Sequence, residues 1–279
     1  LDVVSGDIRD YDSIKKASKN CDLVFHLAAL VGIPYSYYAP ETYLDTNIKG
    51  TLNILRAVKE SNNLKLIHTS TSEIYGSPKS LPITEDHPAF AQSPYAASKV
   101  GADHLAISFQ RSYDLPITIL RPFNTFGPRQ SLRAVIPTII TQILLQKKHI
   151  KLGNTFSTRN FNYISDTVDG FMSTIGKNKI FGEIINIGSN YDISINDTVK
   201  LISKLMNKKI NIIKEELRKR PRKSEVERLK ASGLKARKLL KWQPKFKGKS
   251  GLAKGLQKTI DWYSNNDNRK LFKENIYNY

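Results

Sequence analysis

The apolar residues of this chain occur in short runs that alternate with longer stretches of helical periodicity. Runs rich in Leu, Ile, Val and Phe predict buried strands at 23–27, 64–68, 115–120, 150–152 and 184–187. Apolar residues at helical spacing predict helices at 41–60, 94–113, 135–147, 194–206, 234–240 and 252–263. Because strands that alternate with helices are typical of parallel sheets, the predicted fold class is α/β.

Two of these helices begin with capping signals. Ser93 can cap the helix that starts at Pro94, and proline fits the first turn of a helix. Ser194 is followed three residues later by Asp197, a pattern that resembles a capping box.

Composition narrows the class of protein. The 279 residues are 40% hydrophobic and 25% charged, which is ordinary for a globular protein. No run of about 18 apolar residues occurs, so no membrane insertion is expected. The net charge of +19 would suit a nucleic-acid partner, but the lysines are dispersed and no nucleic-acid motif accompanies them. We therefore expect no nucleic-acid partner.

The single cysteine, Cys21, excludes an internal disulfide and suits a cytoplasmic protein. Its position just before the strand at 23–27 predicts a core residue at a strand edge rather than a nucleophile. His26 in that strand is predicted to be a hydrogen-bonded core histidine. No metal site is predicted.

Tyr95 and Lys99 are the main candidates for chemistry. Residues four apart on a helix share a face, and an ammonium group favours a nearby phenolate. Tyr95 could then take a proton near neutral pH. The pair follows a predicted strand that ends in Ser70-Thr71-Ser72-Glu73.

This arrangement resembles the extended short-chain dehydrogenase/reductase superfamily, in its NAD-dependent epimerase/dehydratase branch that acts on nucleotide sugars. The resemblance implies a Rossmann-like parallel sheet with a small C-terminal α+β substrate lobe, NAD as cofactor and a nucleotide-diphosphate sugar as substrate. Tyr95 would be the base for the sugar C4 hydroxyl, and Lys99 would bind the nicotinamide ribose. Thr71 would hydrogen-bond the C4 oxygen.

The resemblance also implies binding residues. For the cofactor these are Asp7 and Ile8 near the adenine, Leu27, Ala28 and Ala29 near the phosphates and ribose, and Asn47 behind the active-site backbone. For the substrate diphosphate they are Asn124, Arg159, Arg220 and Arg228.

Glu73 distinguishes between reactions. In simple 4-epimerases of the superfamily this position is usually not acidic, whereas in 4,6-dehydratases it is. After C4 is oxidised to a ketone, Glu73 would remove the C5 proton while the C6 hydroxyl leaves as water. Hydride would then return to C6. Ser72, where some dehydratases carry an aspartic acid, is the weaker catalytic assignment.

Three stretches, 34–41, 128–140 and 224–229, carry a narrower resemblance. They are similar to NAD-dependent 4,6-dehydratases that act on nucleotide-linked N-acetylglucosamine in legionaminic-acid-type pathways. This implies cell-surface glycan biosynthesis and a homodimer formed through the helices 41–60 and 94–113. The nucleotide stays open between uridine and guanosine.

Other readings stay open too. A UDP-glucuronate decarboxylase shares Thr-Ser-Glu and Tyr-x-x-x-Lys, and a nucleotide-sugar 4-epimerase belongs to the same superfamily. A further hypothesis, outside the class of enzymes, is a non-catalytic NAD-fold protein or an inactive fragment.

The glycine-rich loop of the superfamily has no counterpart here, because no Gly-x-x-Gly-x-x-Gly occurs. The opening, residues 1–10, looks like the family's third strand and the Gly-Asp turn after it. We therefore expect an N-terminally truncated chain that binds NAD poorly by itself. Residues 1–125 are expected to form a partial Rossmann domain, and 126–279 mainly the substrate lobe, interleaved with it.

Overall fold

The computed structural model describes residues 1–61, 63–145, 148–218 and 220–271. Its strands are β1 (Leu23–His26), β2 (Lys65–Thr69), β3 (Ile117–Pro122), β4 (Thr125–Phe126), β5 (His149–Leu152), β6 (Thr158–Arg159), β7 (Asn162–Tyr163), β8 (Ile184–Ile187), β9 (Ile193–Ser194) and β10 (Asn211–Lys214). Its α-helices are α1 (Tyr11–Ala17), α2 (Ile33–Ser36), α3 (Pro40–Tyr43), α4 (Gly50–Glu60), α5 (Pro94–Tyr113), α6 (Val135–Leu144), α7 (Ile164–Met172), α8 (Ile195–Leu205), α9 (Leu234–Leu240), α10 (Gly248–Ser264) and α11 (Asn266–Arg269).

A parallel sheet joins three strands from the first half of the chain to β8 from the second half, which confirms the predicted α/β class. Its strand order is β1-β2-β3-β8, and every neighbouring pair runs parallel. The predicted bounds of α5, β8 and α9 agree with the structure, whereas β3 begins two residues later than predicted. Because the strands are parallel, the segments that follow β1, β2 and β3 all lie at one edge of the sheet.

Each face of the sheet has its own buried cluster. On one face, residues of α4 and α5 such as Leu55 and Ala106 pack against Leu66 and Ile119. On the other, Phe171 of α7 and Leu240 of α9 belong to the cluster that contains Ile185. Two covered faces explain why consecutive residues of β2 and β3 are buried, rather than every second residue.

The helix predicted at 41–60 is divided into three parts. Between α3 and α4 the segment Leu44–Lys49 winds as a π-helix. Such segments are rare and are frequently found at functional sites. Here the extra residue per turn accompanies a fully buried Asn47, whose side chain bonds to neighbouring backbone and would not be detected from apolar spacing.

A second cluster of buried residues lies in the later part of the chain. It joins α6, α8 and α10 with β5 through residues such as Ile139, Ile202, Leu256 and Ile150. The helix predicted to end at residue 147 has its last described helical residue at Leu144, and residues 146–147 lie outside the described ranges. Helix α8 starts as predicted, with the Ser194 hydroxyl accepting from the Asp197 amide at 3.0 Å. Helix α10 is longer than predicted and begins at Gly248.

Two expectations near the start of the chain are wrong. Residues 1–6 form no strand, and Leu1 and Val3 are exposed rather than packed in the sheet. Cys21 is exposed and not part of the core, because it lies in the polar turn before β1 rather than in the strand. In the described parts of the chain, every helix is too short or too polar to cross a lipid bilayer.

Candidate active site

The segment after β2 carries the candidate catalytic carboxylate, Glu73. Strand β2 ends at Thr69, and residues Ser72–Tyr75 then form a 3-10 helix. The Thr71 hydroxyl caps this helix by accepting from the Glu73 amide at 3.3 Å. Ser72 is 2% exposed and Glu73 7% exposed. The short helix therefore holds a carboxylate in a largely dry position.

Helix α5 brings Tyr95 and Lys99 beside this segment. The Ser93 hydroxyl accepts from the Ala96 amide at 3.1 Å and so caps the helix as predicted. Tyr95 and Lys99 are both buried, and the Lys99 ammonium donates to the Thr69 carbonyl at 2.7 Å. The structure thus brings Thr71, Glu73, Tyr95 and Lys99 together where β2 meets the first turns of α5.

Burial controls the protonation of this pair. It raises the pKa of Tyr95 to about 12, against a smaller lowering by a hydrogen bond with Thr71. It also lowers the pKa of Lys99 to about 8, against the opposing effect of Asp103. The expectation that Lys99 lowers the pKa of Tyr95 is not met, because desolvation dominates and the ammonium is directed at the Thr69 carbonyl. At neutral pH the Tyr95 phenol is neutral in this structure.

Asn47 connects the segment after β1 to α5. Its amide nitrogen donates to the Leu30 carbonyl at 3.0 Å and to the Ser98 hydroxyl at 2.9 Å, and its oxygen accepts from the Leu30 amide at 2.8 Å. The predicted role of Asn47, support of the active-site backbone, is consistent with these contacts. His26 is buried and lies 3.0 Å from the Thr51 hydroxyl, so its reading as a hydrogen-bonded core histidine is confirmed.

The residues predicted for NAD lie at the same edge. After β1, Leu27 and Ala28 are exposed and Ala29 is half-buried, and the small side chains of the two alanines leave the backbone open. Nearby, the Thr69 hydroxyl is buried without a hydrogen-bond partner. An open strand end, an unsatisfied hydroxyl and the Lys99 ammonium fit the ribose and phosphates of a dinucleotide.

Asp7 and Ile8 precede α1. The Asn53 side chain donates to the Ile8 carbonyl at 2.9 Å, which holds this turn against α4. The exposed Asp7 binds Arg9 at 2.6 Å, and this hydrogen bond lowers the pKa of Asp7 to about 2.

A cavity of about 300 Å³ opens beside Glu73. Three of the four predicted substrate residues line it: Asn124, Arg159 and Arg220. Arg159 Nε and Arg220 Nη1 each lie 4.0 Å from a carboxylate oxygen of Glu73. The side-chain oxygen of Asn124 and Nη1 of Arg220 are buried without a hydrogen-bond partner. Converging arginines and an unsatisfied amide make this cavity suitable for a diphosphate.

The fourth predicted residue, Arg228, lies apart from this cavity. It is half-exposed and its Nε pairs with Asp192 at 2.7 Å. Residues 228 and 158 form a bridge, so Arg228 and Arg159 lie one step apart along paired backbones and point to different sides.

The cavity lining also contains charged residues that were not predicted from the sequence, among them Arg133 and Glu225. Arg133 adds a cation, and Glu225 accepts from Arg159 at 3.2 Å and so fixes that guanidinium. Arg133 could have been predicted from the sequence, since it lies in the stretch 128–140 singled out above. Glu225 also lies in a stretch singled out above, 224–229, but its contact with Arg159 could not be read from the local pattern, because the two residues are 66 positions apart.

The fold and this site define a class: Rossmann-type enzymes that modify nucleotide sugars. The family model described as GDP-mannose 4,6 dehydratase matches residues 1–255. The chain belongs to this family, within the extended short-chain dehydrogenase/reductase superfamily.

Relatives in the family catalyse different reactions. The chain is 30% identical to human dTDP-D-glucose 4,6-dehydratase over 270 residues, covering 94% of this chain and 75% of that protein. It is 35% identical to UDP-glucuronate 4-epimerase of Thermodesulfobacterium geofontis over 265 residues, covering 93% of this chain and 78% of that protein.

A solved structure agrees in fold. UDP-glucuronic acid 4-epimerase from Bacillus cereus, in complex with UDP-glucuronic acid and NAD, superposes with a TM-score of 0.85 at 32% identity, covering 96% of this chain and 81% of that one.

Proposed function

We propose that this protein is an NAD-dependent 4,6-dehydratase acting on a nucleoside-diphosphate N-acetylglucosamine. The observation that carries the proposal is the buried Glu73 carboxylate, which lies between the Thr71–Tyr95 pair and an arginine-lined cavity. A 4-epimerase needs only the oxidation and reduction of C4. A dehydratase also needs a base for the C5 proton, and Glu73 supplies one.

Each site residue has its own role in the proposed reaction. Arg159, Arg220 and Asn124 hold the diphosphate and so fix the sugar beside Glu73. Thr71 positions the C4 oxygen, and Tyr95 exchanges the C4 hydroxyl proton. Glu73 takes the C5 proton and returns it to the leaving C6 hydroxyl as water departs, with Ser72 beside it. NAD, when bound, supplies the hydride acceptor and donor. Lys99 and the residues Asp7, Ile8, Leu27, Ala28, Ala29 and Asn47 form or support its site. We assign no diphosphate contact to Arg228, since Asp192 already pairs with it.

The Tyr95 phenol can do this work only if its proton leaves easily during the reaction. Tyr95 can take the C4 hydroxyl proton only as the phenolate, which its raised pKa makes the minor form at neutral pH. The Thr71 hydrogen bond favours the phenolate and so assists this transfer.

The full-length protein is first incubated with UDP- and GDP-N-acetylglucosamine, and the products are identified by mass spectrometry. Loss of one water per sugar, with no net change in NAD, supports the proposal and identifies the nucleotide. Absence of turnover and of bound NAD would instead favour a non-catalytic NAD-fold protein.

Glu73→Gln is the matched variant, because it keeps the shape of the side chain and removes the base. We expect 4-keto sugar formation to persist while water loss falls about 1,000-fold, within the range for a general base. Dehydration at an unchanged rate in Glu73→Gln would remove Glu73 from the mechanism.

A UDP-glucuronate 4-epimerase or decarboxylase is the second candidate. The 35% identical relative is such an epimerase, and the two arginines near Glu73 could pair with a sugar carboxylate. Incubation with UDP-glucuronate decides: an isomer of equal mass indicates epimerisation, and carbon dioxide release indicates decarboxylation.

We also propose a cytoplasmic homodimer that serves cell-surface glycan synthesis. The exposed Leu44, at the start of the π-helix, and Tyr113, at the end of α5, support the dimer because each is 49% exposed on an element expected at the interface. Light scattering of the full-length protein, with Leu44→Glu as the disrupting variant, tests it.

A further inference from the structure

Behind the site, a buried aspartate and arginine link the strands that carry it. Asp103 lies one helical turn after Lys99 on α5 and is 1% exposed. One of its carboxylate oxygens accepts from Arg121 Nη2 at 3.1 Å and from Arg121 Nε at 3.2 Å. Arg121 belongs to β3, so the pair joins a helix to a neighbouring strand.

The same pair holds both ends of the segment that carries Thr71 and Glu73. At one end, the Ser70 hydroxyl donates to Asp103 at 2.7 Å. At the other, Arg121 Nη1 donates to the Tyr75 hydroxyl at 3.0 Å. Ser70 and Tyr75 lie just outside the two catalytic positions, so the ion pair closes a ring through this segment.

Neighbouring contacts fix the ring to the sheet. The Tyr75 hydroxyl donates to the Asn186 side chain in β8 at 2.7 Å. His68 of β2 lies 3.2 Å from the second Asp103 oxygen, and Lys99 bonds the Thr69 carbonyl. Side chains of α5 therefore contact three consecutive residues at the end of β2: His68, Thr69 and Ser70.

We propose that Asp103 and Arg121 are positioning residues that set Thr71 and Glu73 against Tyr95. The inference rests on the proposed function for what Thr71 and Glu73 do, but not for where they are held. Neither Asp103 nor Arg121 lines the substrate cavity, so each acts through the segment from Ser70 to Tyr75. A buried charge pair with further hydrogen bonds can hold backbone in this way.

The test uses the full-length protein and the variant Asp103→Asn. Amide hydrogen exchange, followed by mass spectrometry, is expected to speed up at least about tenfold in peptides that cover 70–76. The matched control is Asp166→Asn, which removes another 1% exposed aspartate that accepts from the Lys245 and Phe246 amides at 2.9 Å. This control should leave exchange in 70–76 unchanged.

Kinetics supply the second readout. With the substrate that the full-length protein turns over, Asp103→Asn should lower kcat about 100-fold while KM changes little, because misplaced catalytic groups affect the reacting state. Ser70→Ala removes one contact only and should lower kcat about tenfold. This variant keeps the proposal testable if Asp103→Asn does not fold.

Exchange in 70–76 no faster in Asp103→Asn or Ser70→Ala than in Asp166→Asn would overturn the proposal. Equal kcat in both variants and the unaltered protein would also overturn it. If the unaltered protein turns over no tested sugar, the proposed function fails and the exchange measurement still decides the positioning role.

Discussion

At the scale of single residues, burial governs the chemistry more than charge pairing does. Tyr95 and Lys99 share a helix face as their spacing predicts, yet their pKa values move in the directions set by desolvation. Spacing reports which residues are neighbours, but the dielectric around them depends on everything packed over the helix.

The variant Lys99→Met tests whether burial sets the pKa of Lys99. The folded protein releases the Lys99 proton near pH 8 and the unfolded chain near its ordinary pKa of 10.5. Between these values the unfolded chain binds more protons, so the free energy of unfolding of the unaltered protein should rise with pH relative to the variant, by about 3 kcal/mol in total. At pH 7 the variant should unfold no more easily, while its activity falls sharply.

Chemical denaturation between pH 7 and 10.5 measures this difference. Lys16→Met, at an exposed position, serves as the reference for removing a lysine. A stability gap between Lys99→Met and the unaltered protein that stays constant with pH would contradict the assigned burial effect.

At the scale of elements, the π-helix before α4 is the feature that apolar spacing did not reveal. The pattern predicted one continuous helix because Leu44, Ile48, Leu52 and Leu55 keep near-helical spacing. The winding changes where Asn47 reaches the Leu30 backbone and Ser98. A side chain that satisfies another segment's backbone leaves no local periodicity.

The variant Asn47→Ala measures how much the Asn47 hydrogen bonds contribute to the free energy of unfolding. The change leaves the Leu30 amide and carbonyl without their side-chain partner in a partly buried place, so we expect a loss of about 2 to 3 kcal/mol in the free energy of unfolding. Lys49→Ala, at an exposed position in the same π-helix, should change it by less than about 0.5 kcal/mol. Equal losses in the two variants would show that the π-helix itself, and not the Asn47 contacts, is being disrupted.

At the scale of the whole molecule, the chain returns to the sheet at β8, between the segments that build the second cluster. Strand β8 joins β3, and Gly188 just after it lies against Ala231. A Cβ at Gly188 would come within 2.1 Å of the Ala231 Cβ. This close approach helps to fix the segment that precedes Ala231 and contains Arg220 and Glu225.

Gly188→Ala should therefore destabilise the fold by about 1 to 3 kcal/mol and weaken substrate binding. Thermal unfolding and substrate titration test both effects. Gly6→Ala, whose added Cβ would meet Ser13 at an ordinary 3.4 Å, is the control and should leave both nearly unchanged. Unaltered stability in Gly188→Ala would mean that the 225–232 region shifts freely.

The sequence by itself determined the class of fold and the bounds of α5, β8 and α9, and its motifs marked Thr71, Glu73, Tyr95 and Lys99 as candidate site residues. These features depend on local periodicity, capping and short motifs, which neighbouring residues in the chain specify. Only the tertiary structure decided the burial of Tyr95 and Lys99, the approach of Arg159 and Arg220 to Glu73, and the link from Asp103 to Arg121. These contacts join residues far apart in the chain, and their energies depend on the solvent that packing removes.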